Sequence, residues 1–456
     1  MIKVALHNLG CKVNAYEMDV MRQMLCEKGY EIVPFDSRAD IYLINTCTVT
    51  NIADRKSRQM LHRAKKQNPQ AIVIAVGCYV QTGKETIEKD DCIDLAIGNN
   101  KKKELIPILE EYLRQHREGR PDKTLHETTI SDLRKPVPYE EMKLEHTAEH
   151  TRAYLKIQDG CNQFCSYCII PFARGRVRSR SEEDIVCEAK GLAEAGYQEI
   201  VITGIHISSY GMDFMSRQAV SNDSADRVYR EEALLHLIGR LHEIGGLRRI
   251  RLGSLEPRII TRGFAEGLKA FPKVCPHFHL SLQSGCDATL KRMNRHYLAS
   301  EYYDKVQVLR EVYKDPAITT DVIVGFPGET EEEFLETKAF LEKIGFYEMH
   351  VFKYSKRQGT RAAQMTDQVS DTIKAQRSDV LLDLAQRQSH TYRERFLGKE
   401  MEILFEESIT IDGRNYMVGH TGEYLRTAFE TEDDLSNRLV RKQLCGFLDG
   451  NTVLAQ

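Results

Sequence analysis

Three cysteines fall at spacings of four and three in Cys161-Asn-Gln-Phe-Cys165-Ser-Tyr-Cys168. They lie just past a strand-like run, Ala153–Ile157. A tight loop of this kind can offer three thiolates to three irons of one cubane cluster and leave the fourth iron open to a ligand. Zinc is the rival chemistry. A structural zinc takes four ligands, and the next thiol, Cys187, falls inside a helical pattern.

A second set is dispersed. Cys11, Cys47 and Cys78 each follow a strand-like segment, in Leu9-Gly10-Cys11, Asn45-Thr46-Cys47 and Val76-Gly77-Cys78. In a parallel sheet the carboxyl ends of neighbouring strands converge on one crevice, so these thiols are expected to meet and form a second three-thiol site. The alternative is three inert core cysteines. Cys26, Cys92, Cys187, Cys275, Cys286 and Cys445 share no pattern and are read as packing residues.

The elements that must position these thiols come from a chain of 456 residues, about three domains at ~150 residues each. With 41% hydrophobic and 29% charged residues it has an ordinary globular composition. A net charge of -3 excludes a polycation that binds nucleic acid by bulk charge, so an RNA site must be a local patch. No apolar run reaches the ~18 residues of a membrane helix, and Met1–Gly10 lacks the pattern of a signal peptide. The expected compartment is the reducing cytoplasm, where clustered cysteines mean metal or redox chemistry rather than disulfides.

Strand-like segments at Lys3–Leu9, Ile41–Asn45, Ala71–Val76 and Asp94–Ile97 alternate with helical patterns. The first helix is expected to be capped by Asn14 and stopped by Gly29. This alternation predicts an α/β fold with a doubly wound parallel sheet. Gly119–His150 is polar and proline-bearing, as a linker would be. Six further strands follow, at Ala153–Ile157, Glu199–Thr203, Arg249–Leu252, His277–Leu282, Thr319–Val324 and Glu348–Lys353. Six units are too few for a closed eight-unit barrel, so an open partial (β/α)6 barrel is expected. Phe214–Tyr229 reads as a polar insertion. A long helix over Ser370–Phe396 precedes a strand-rich tail that suits a small β-barrel. The expected divisions are 1–117, a linker at 118–146, a core at 147–376, a connecting helix at 377–392 and the tail at 393–456.

Thr203-Gly204-Ile205-His206, Leu252–Glu256, Ser281–Gly285 and Val324–Gly328 lie at carboxyl ends of barrel strands, the face where barrels bind ligands. Arg174, Arg176, Arg178 and Arg180 alternate. An extended segment would put all four on one side, as a solvated face or as a grip on phosphate or carboxylate. The second helix has a basic face that includes Arg55, Lys56, Arg58 and Arg63. The tail from Arg393 holds 8 basic and 12 acidic residues, so RNA contact there must use few residues.

Cys161–Cys168 resembles the CxxxCxxC loop of radical S-adenosylmethionine (SAM) enzymes. The N-terminal cysteine trio, His279–Gly285 and Asp321–Thr330 resemble the methylthiotransferases over nearly the full chain. The resemblance implies a cluster domain, a radical SAM core and a C-terminal TRAM barrel. It implies two [4Fe-4S] clusters, on Cys161, Cys165 and Cys168 and on Cys11, Cys47 and Cys78, with SAM on the first. Tyr167, Gly204, Glu256, Gln283 and Gly325 are the candidates to line the SAM pocket, and Arg174, Arg176, Arg178 and Arg180 to bind substrate.

The family's chemistry would cleave SAM to a 5′-deoxyadenosyl radical that takes hydrogen from C2 of a modified adenine, a bond that acid–base chemistry does not break. The catalytic species is therefore a cofactor radical, with no catalytic side chain. Leu9-Gly10-Cys11-Lys12-Val13-Asn14 looks like the enzymes that act on threonylcarbamoyladenosine in tRNA. Isopentenyladenosine in tRNA and an aspartate of a ribosomal protein are the alternative substrates of the branch, and a non-catalytic iron–sulfur sensor is the alternative of another class. The implied partners are tRNA and an external electron donor, with no membrane and a monomer favoured.

Overall fold

The computed structural model describes residues 1–117, 129–145, 151–214 and 223–456. Half of the expected insertion at Phe214–Tyr229, residues 215–222, lies outside them, and its remainder from Asp223 opens the helix Asp223–His242. Five parallel strands, β1 (Lys3–Asn8), β2 (Glu31–Val33), β3 (Ile41–Thr46), β4 (Ile72–Gly77) and β5 (Leu95–Ile97), form a sheet in the order β2-β1-β3-β4-β5. Separate apolar cores cover its two faces, one around Leu43, Ile74 and Leu109, the other around Tyr42, Val73 and Leu61. This is the doubly wound arrangement the alternation predicts. The first helix, Lys12–Glu27, has Cys11 at its N-cap, not Asn14. The Asn14 amide instead donates to Leu9 O at 2.8 Å and Thr46 O at 3.1 Å. It ties two cysteine-bearing loops together.

Strand β6 (Arg152–Asp159) opens the second unit. It pairs antiparallel with the two-residue β7 (Arg178–Ser179) and parallel with β8 (Glu199–Gly204), which pairs with β9 (Arg249–Leu252). Strands β10 (His277–His279), β11 (Ala317–Val324) and β12 (Glu348–Lys353) form a second parallel sheet. Parallel bridges at Ile250–Val274 and Leu255–Leu280 join the two. The result is the open six-unit barrel. Ala153, Leu155 and Ile157 of β6 enter the core under the outer helices. By the two-residue period of a strand, Arg152, Tyr154, Lys156 and Gln158 face the lumen, where the helix Lys12–Glu27 packs against β6 and β8.

The helix Asp371–Glu394, capped by Ser370, leads to a closed barrel of β13 (Glu400–Ile411), β14 (Arg414–Thr421), β15 (Arg426–Glu430), β16 (Leu439–Phe447) and β17 (Val453–Ala455). This barrel closes the amino-terminal end of the lumen. Arg251 donates to Thr421 O and Gly422 O, and Arg249 to His420 O and Glu402 O. The Tyr424 ring lies beneath the Arg251 guanidinium at 4.8 Å and stacks on His277 at 4.7 Å. No helix of the described residues is long and apolar enough to cross a membrane.

Candidate active site

The loop after β6 is shaped by backbone. Gly160 has φ +73°, and a Cβ there would stand 1.9 Å from Arg176 O, so only glycine fits. Phe164 takes φ +49°. The segment Arg292–Asn294 holds the loop in place. Ser166 donates from its N–H to Met293 O and from its hydroxyl to Arg292 O, and Asn294 Nδ2 donates to Phe164 O.

Cys161, Cys165 and Cys168 come together. The Gln163 N–H points at Cys161 Sγ, 3.5 Å away, and Arg295 Nη1 at Cys165 Sγ, 3.4 Å away. Burial, together with the neighbouring Cys165 thiol, pushes the Cys161 thiol up to about 11. Cys168 rises further, by burial and by both neighbouring thiols. Three crowded, desolvated thiols with N–H donors aimed at sulfur suit a cation that takes them as thiolates.

The dispersed trio also converges. A Cβ on Gly10, beside Cys11, would stand 3.1 Å from Cys47 Sγ. Burial pushes the Cys47 thiol up to about 11, with Cys78 and Cys11 acting in the same direction. Asn99 Nδ2 approaches Cys78 Sγ at 3.4 Å, and Cys11 Sγ lies 3.7 Å from Asn14 Oδ1. Cys47 and Cys78 are buried and Cys11 is exposed, and together the three offer the thiolates of a second metal cluster.

Arg174 lies beside the dispersed trio. It ends the short helix Ile170–Arg174 that follows Cys168, is fully buried and donates to Glu17, Asp159 and Asn14. Lys156 pairs with Glu17 and Asp159, and Lys102 with Glu17. These cations hold the Glu17 carboxyl well below its ordinary range, against burial, which acts to raise it. The guanidinium also favours the thiolate form of Cys11 and Cys47.

The four-arginine reading needs correction. Gly175, at φ +75°, breaks the alternation, so Arg174 lies on a helix and Arg178 on a strand. Arg178 is buried against Asn100 and Arg174 O. Arg180 is buried against Glu141 and Glu188. None of these three is free to bind substrate. Arg176 alone is exposed, 4.4 Å above the Phe164 ring.

The candidate pocket residues divide. Tyr167 packs edge-on against Phe326, and the neighbouring Cys165 thiol adds to the burial that raises its phenol. Glu256 caps the turn Pro257–Ile259 and holds Arg258 at 2.7 Å. Its charge is felt at Cys161 and Tyr297. Gln283 takes φ +74° and bonds through its backbone to Asp321 and Ile323. Gly204 lies against Gln158, and a Cβ there would stand 3.0 Å from Gln158 O. Gly325, at φ +68°, is pressed beneath Lys374, 2.3 Å from where its Cβ would be. Its N–H donates to Glu329.

Sequence reasoning missed Arg295, Glu17 and Asn99. Arg295 links Cys165 to Ser281 O, and Tyr297 donates to Ser281 O and Leu282 O, so the Ser281–Gly285 segment is tied to the cysteine loop. Cys26, Cys187 and Cys445 were expected to pack but are exposed, while Cys275 and Cys286 are buried. In the lumen, His279 Nε2 lies 3.3 Å from the Asp321 carboxylate, and the His279 and His350 rings stack at 5.9 Å. A cleft of about 980 Å³ opens between the two units, lined in part by Arg58, Tyr79, Phe172 and Arg357.

Comparison with known proteins agrees with this geometry. The model for "Uncharacterized protein family UPF0004" matches residues 3–98, and that for the radical SAM superfamily matches 155–341. The threonylcarbamoyladenosine tRNA methylthiotransferase MtaB of Bacillus subtilis (strain 168) is 39% identical over 97% of this chain and 94% of its own. The tRNA-2-methylthio-N(6)-dimethylallyladenosine synthase of Thermoanaerobacter sp. (strain X514) is 34% identical over 88% of this chain and 81% of its own. The structure of TsrM, a radical SAM methyltransferase of Kitasatospora setae, aligns with TM-score 0.52 at 15% identity, over 77% of this chain and 73% of that one. That likeness speaks to fold alone.

Proposed function

The chain belongs to the radical SAM methylthiotransferase family, whose chemistry uses SAM and a [4Fe-4S] cluster, and from that premise we propose that it attaches a methylthio group to C2 of N6-threonylcarbamoyladenosine in tRNA. The observation that carries this reading is the gathering of two separate thiol trios, Cys161, Cys165 and Cys168 beside Arg295 and Cys11, Cys47 and Cys78 beside the buried Arg174.

Cys161, Cys165 and Cys168 would hold the cluster that binds SAM, and Cys11, Cys47 and Cys78 a second one. When bound, the first supplies the electron that splits SAM and the second supplies sulfur. The chain's own part is positional. Arg295 fixes Cys165 relative to Ser281, and Gly160 and Asn294 shape the loop. The buried network around Glu17 holds the two thiol sites in fixed relation. Tyr167, Glu256 and Gln283 are retained as pocket residues. Residues 1–117, 147–376 and 393–456 are read as cluster domain, core and TRAM barrel, joined by 118–146 and the helix 377–392. An external reductant supplies the electrons.

The substrate is supported by the Leu9–Asn14 segment and by the identity to relatives named for threonylcarbamoyladenosine. The test is expression in cells that make threonylcarbamoyladenosine in tRNA but do not methylthiolate it, with mass spectrometry of digested tRNA. The methylthio nucleoside is the expected product. Methylthiolated isopentenyladenosine instead, or product on neither RNA, would overturn the assignment.

A further inference from the structure

Lys12 is the first residue of the helix Lys12–Glu27, directly after Cys11. Side chains of a helix lean towards its amino terminus, so Lys12 extends past the helix start, away from the N-terminal sheet. The charges that act most on it are Arg152 of β6, Arg251 of β9, Glu199 of β8 and Asp321 of β11. His277 of β10 in turn feels Lys12. These groups come from five barrel strands, so the ammonium stands at the lumen. It keeps access to solvent.

The other cations of the lumen are committed. Arg251 holds Glu199 at 2.7 Å, Arg152 holds Glu406 at 3.1 Å, Arg249 holds Glu402 at 3.3 Å, and Lys156 holds Glu17 and Asp159. The Asp321 carboxylate lies 3.3 Å from His279 Nε2, which makes an ion pair only with the imidazole protonated. Lys12 forms no ion pair or hydrogen bond with any described residue. An uncommitted ammonium in a chamber of satisfied ion pairs is a site for an anion that arrives with the ligand.

We propose that Lys12 is a specificity-determining residue that binds the carboxylate at the end of the substrate's N6 side chain. The proposal rests on the threonylcarbamoyl reading above. A threonylcarbamoyl group ends in a carboxylate, whereas an isopentenyl group ends in methyls and offers a lysine nothing. Discrimination then follows as a difference of affinities, since an apolar tail would leave the ammonium desolvated and unpaired. Of the neighbouring carboxylates, Glu199 remains with Arg251 and Asp321 lies beside His279.

The test uses the full chain and two anticodon stem-loop RNAs. One carries threonylcarbamoyladenosine, and the other the same nucleoside with its carboxylate converted to a methyl amide. Affinity is read by fluorescence polarisation and KM from methylthio product, with iron per chain as a check on assembly. The wild-type chain should prefer the carboxylate RNA by about tenfold, the scale of one charge-assisted contact. Lys12→Met should lose that preference by weakening on the carboxylate RNA alone, and Lys12→Arg should restore most of it. Equal weakening on the two RNAs, or a wild-type chain that does not distinguish them, would overturn the role of Lys12 while sparing the threonylcarbamoyl reading. Product on neither RNA would remove that reading and the proposal with it.

Discussion

The Arg174 guanidinium meets the Glu17 carboxylate with two hydrogen bonds, Nη1 to Oε1 at 2.6 Å and Nη2 to Oε2 at 3.0 Å. One residue ends the helix after the cysteine loop and the other lies in the first helix of the N-terminal sheet. The pair is wholly buried, and it fixes the distance between two thiol sites that share no backbone element.

Removing the cation should therefore act on stability first. Arg174→Met leaves the buried Glu17 and Asp159 with one partner fewer, which costs about 3–5 kcal/mol when a buried pair is broken from one side. Urea denaturation of the variant beside the wild-type chain reads this directly. A loss under about 1 kcal/mol would mean that Lys102 and Lys156 suffice for both acids.

The two thiol sites should separate by mutation. Cys165→Ala should abolish formation of 5′-deoxyadenosine from SAM. Cys47→Ala should leave that cleavage in place, stop methylthiolation and remove about half of the iron. Methylthio product from the Cys47 variant would refute the second site.

Gly160 should tolerate no side chain. In Gly160→Ala the new methyl would collide with Arg176 O, a backbone atom that cannot swing aside, and left-handed strain adds about 1–3 kcal/mol. Gly196, also at positive φ, has open space around its Cβ position. Gly196→Ala should thus show the strain alone. Melting temperature and iron per chain distinguish them, and equal behaviour of the two variants would remove the collision argument.

Acid should loosen the join between the two barrels. Glu199 is buried and would be raised by burial, but Arg251 beside it holds its carboxyl below the ordinary 4.5. A depressed folded-state value means that ionised Glu199 adds stability above about pH 4.5 and that this is lost as pH falls through the folded value. Glu199→Gln should be less stable than wild type at pH 7, with the gap narrowing in acid. Urea midpoints at the two pH values test it, and a gap independent of pH would count against the ion pair.

The cysteine pattern was legible because its information is local. A loop spacing and a place after a strand survive without knowledge of tertiary structure, and parallel strands bring Cys11, Cys47 and Cys78 to one edge. The layers were legible for the same reason, from periodicity. The arginine run was not. Alternation places side chains only if the backbone stays extended, and Gly175 turns it. Asn14 looked like a cap because it is polar and precedes an apolar stripe, yet the helix starts two residues earlier, at Lys12. Arg295 lies 130 residues from the thiol it approaches, so no spacing rule points to it. Lys12 carries no signal of its own in sequence, since its isolation becomes visible only once the lumen's other charges are paired.

Arg251 owes its burial to the closed C-terminal barrel, whose Thr421, Gly422 and Tyr424 form the underside of the lumen. The reaction vessel thus has a detachable bottom made by a different module from its walls. A chain shortened before residue 393 would keep all six cysteines and yet leave Arg251 and Glu199 open to water from below.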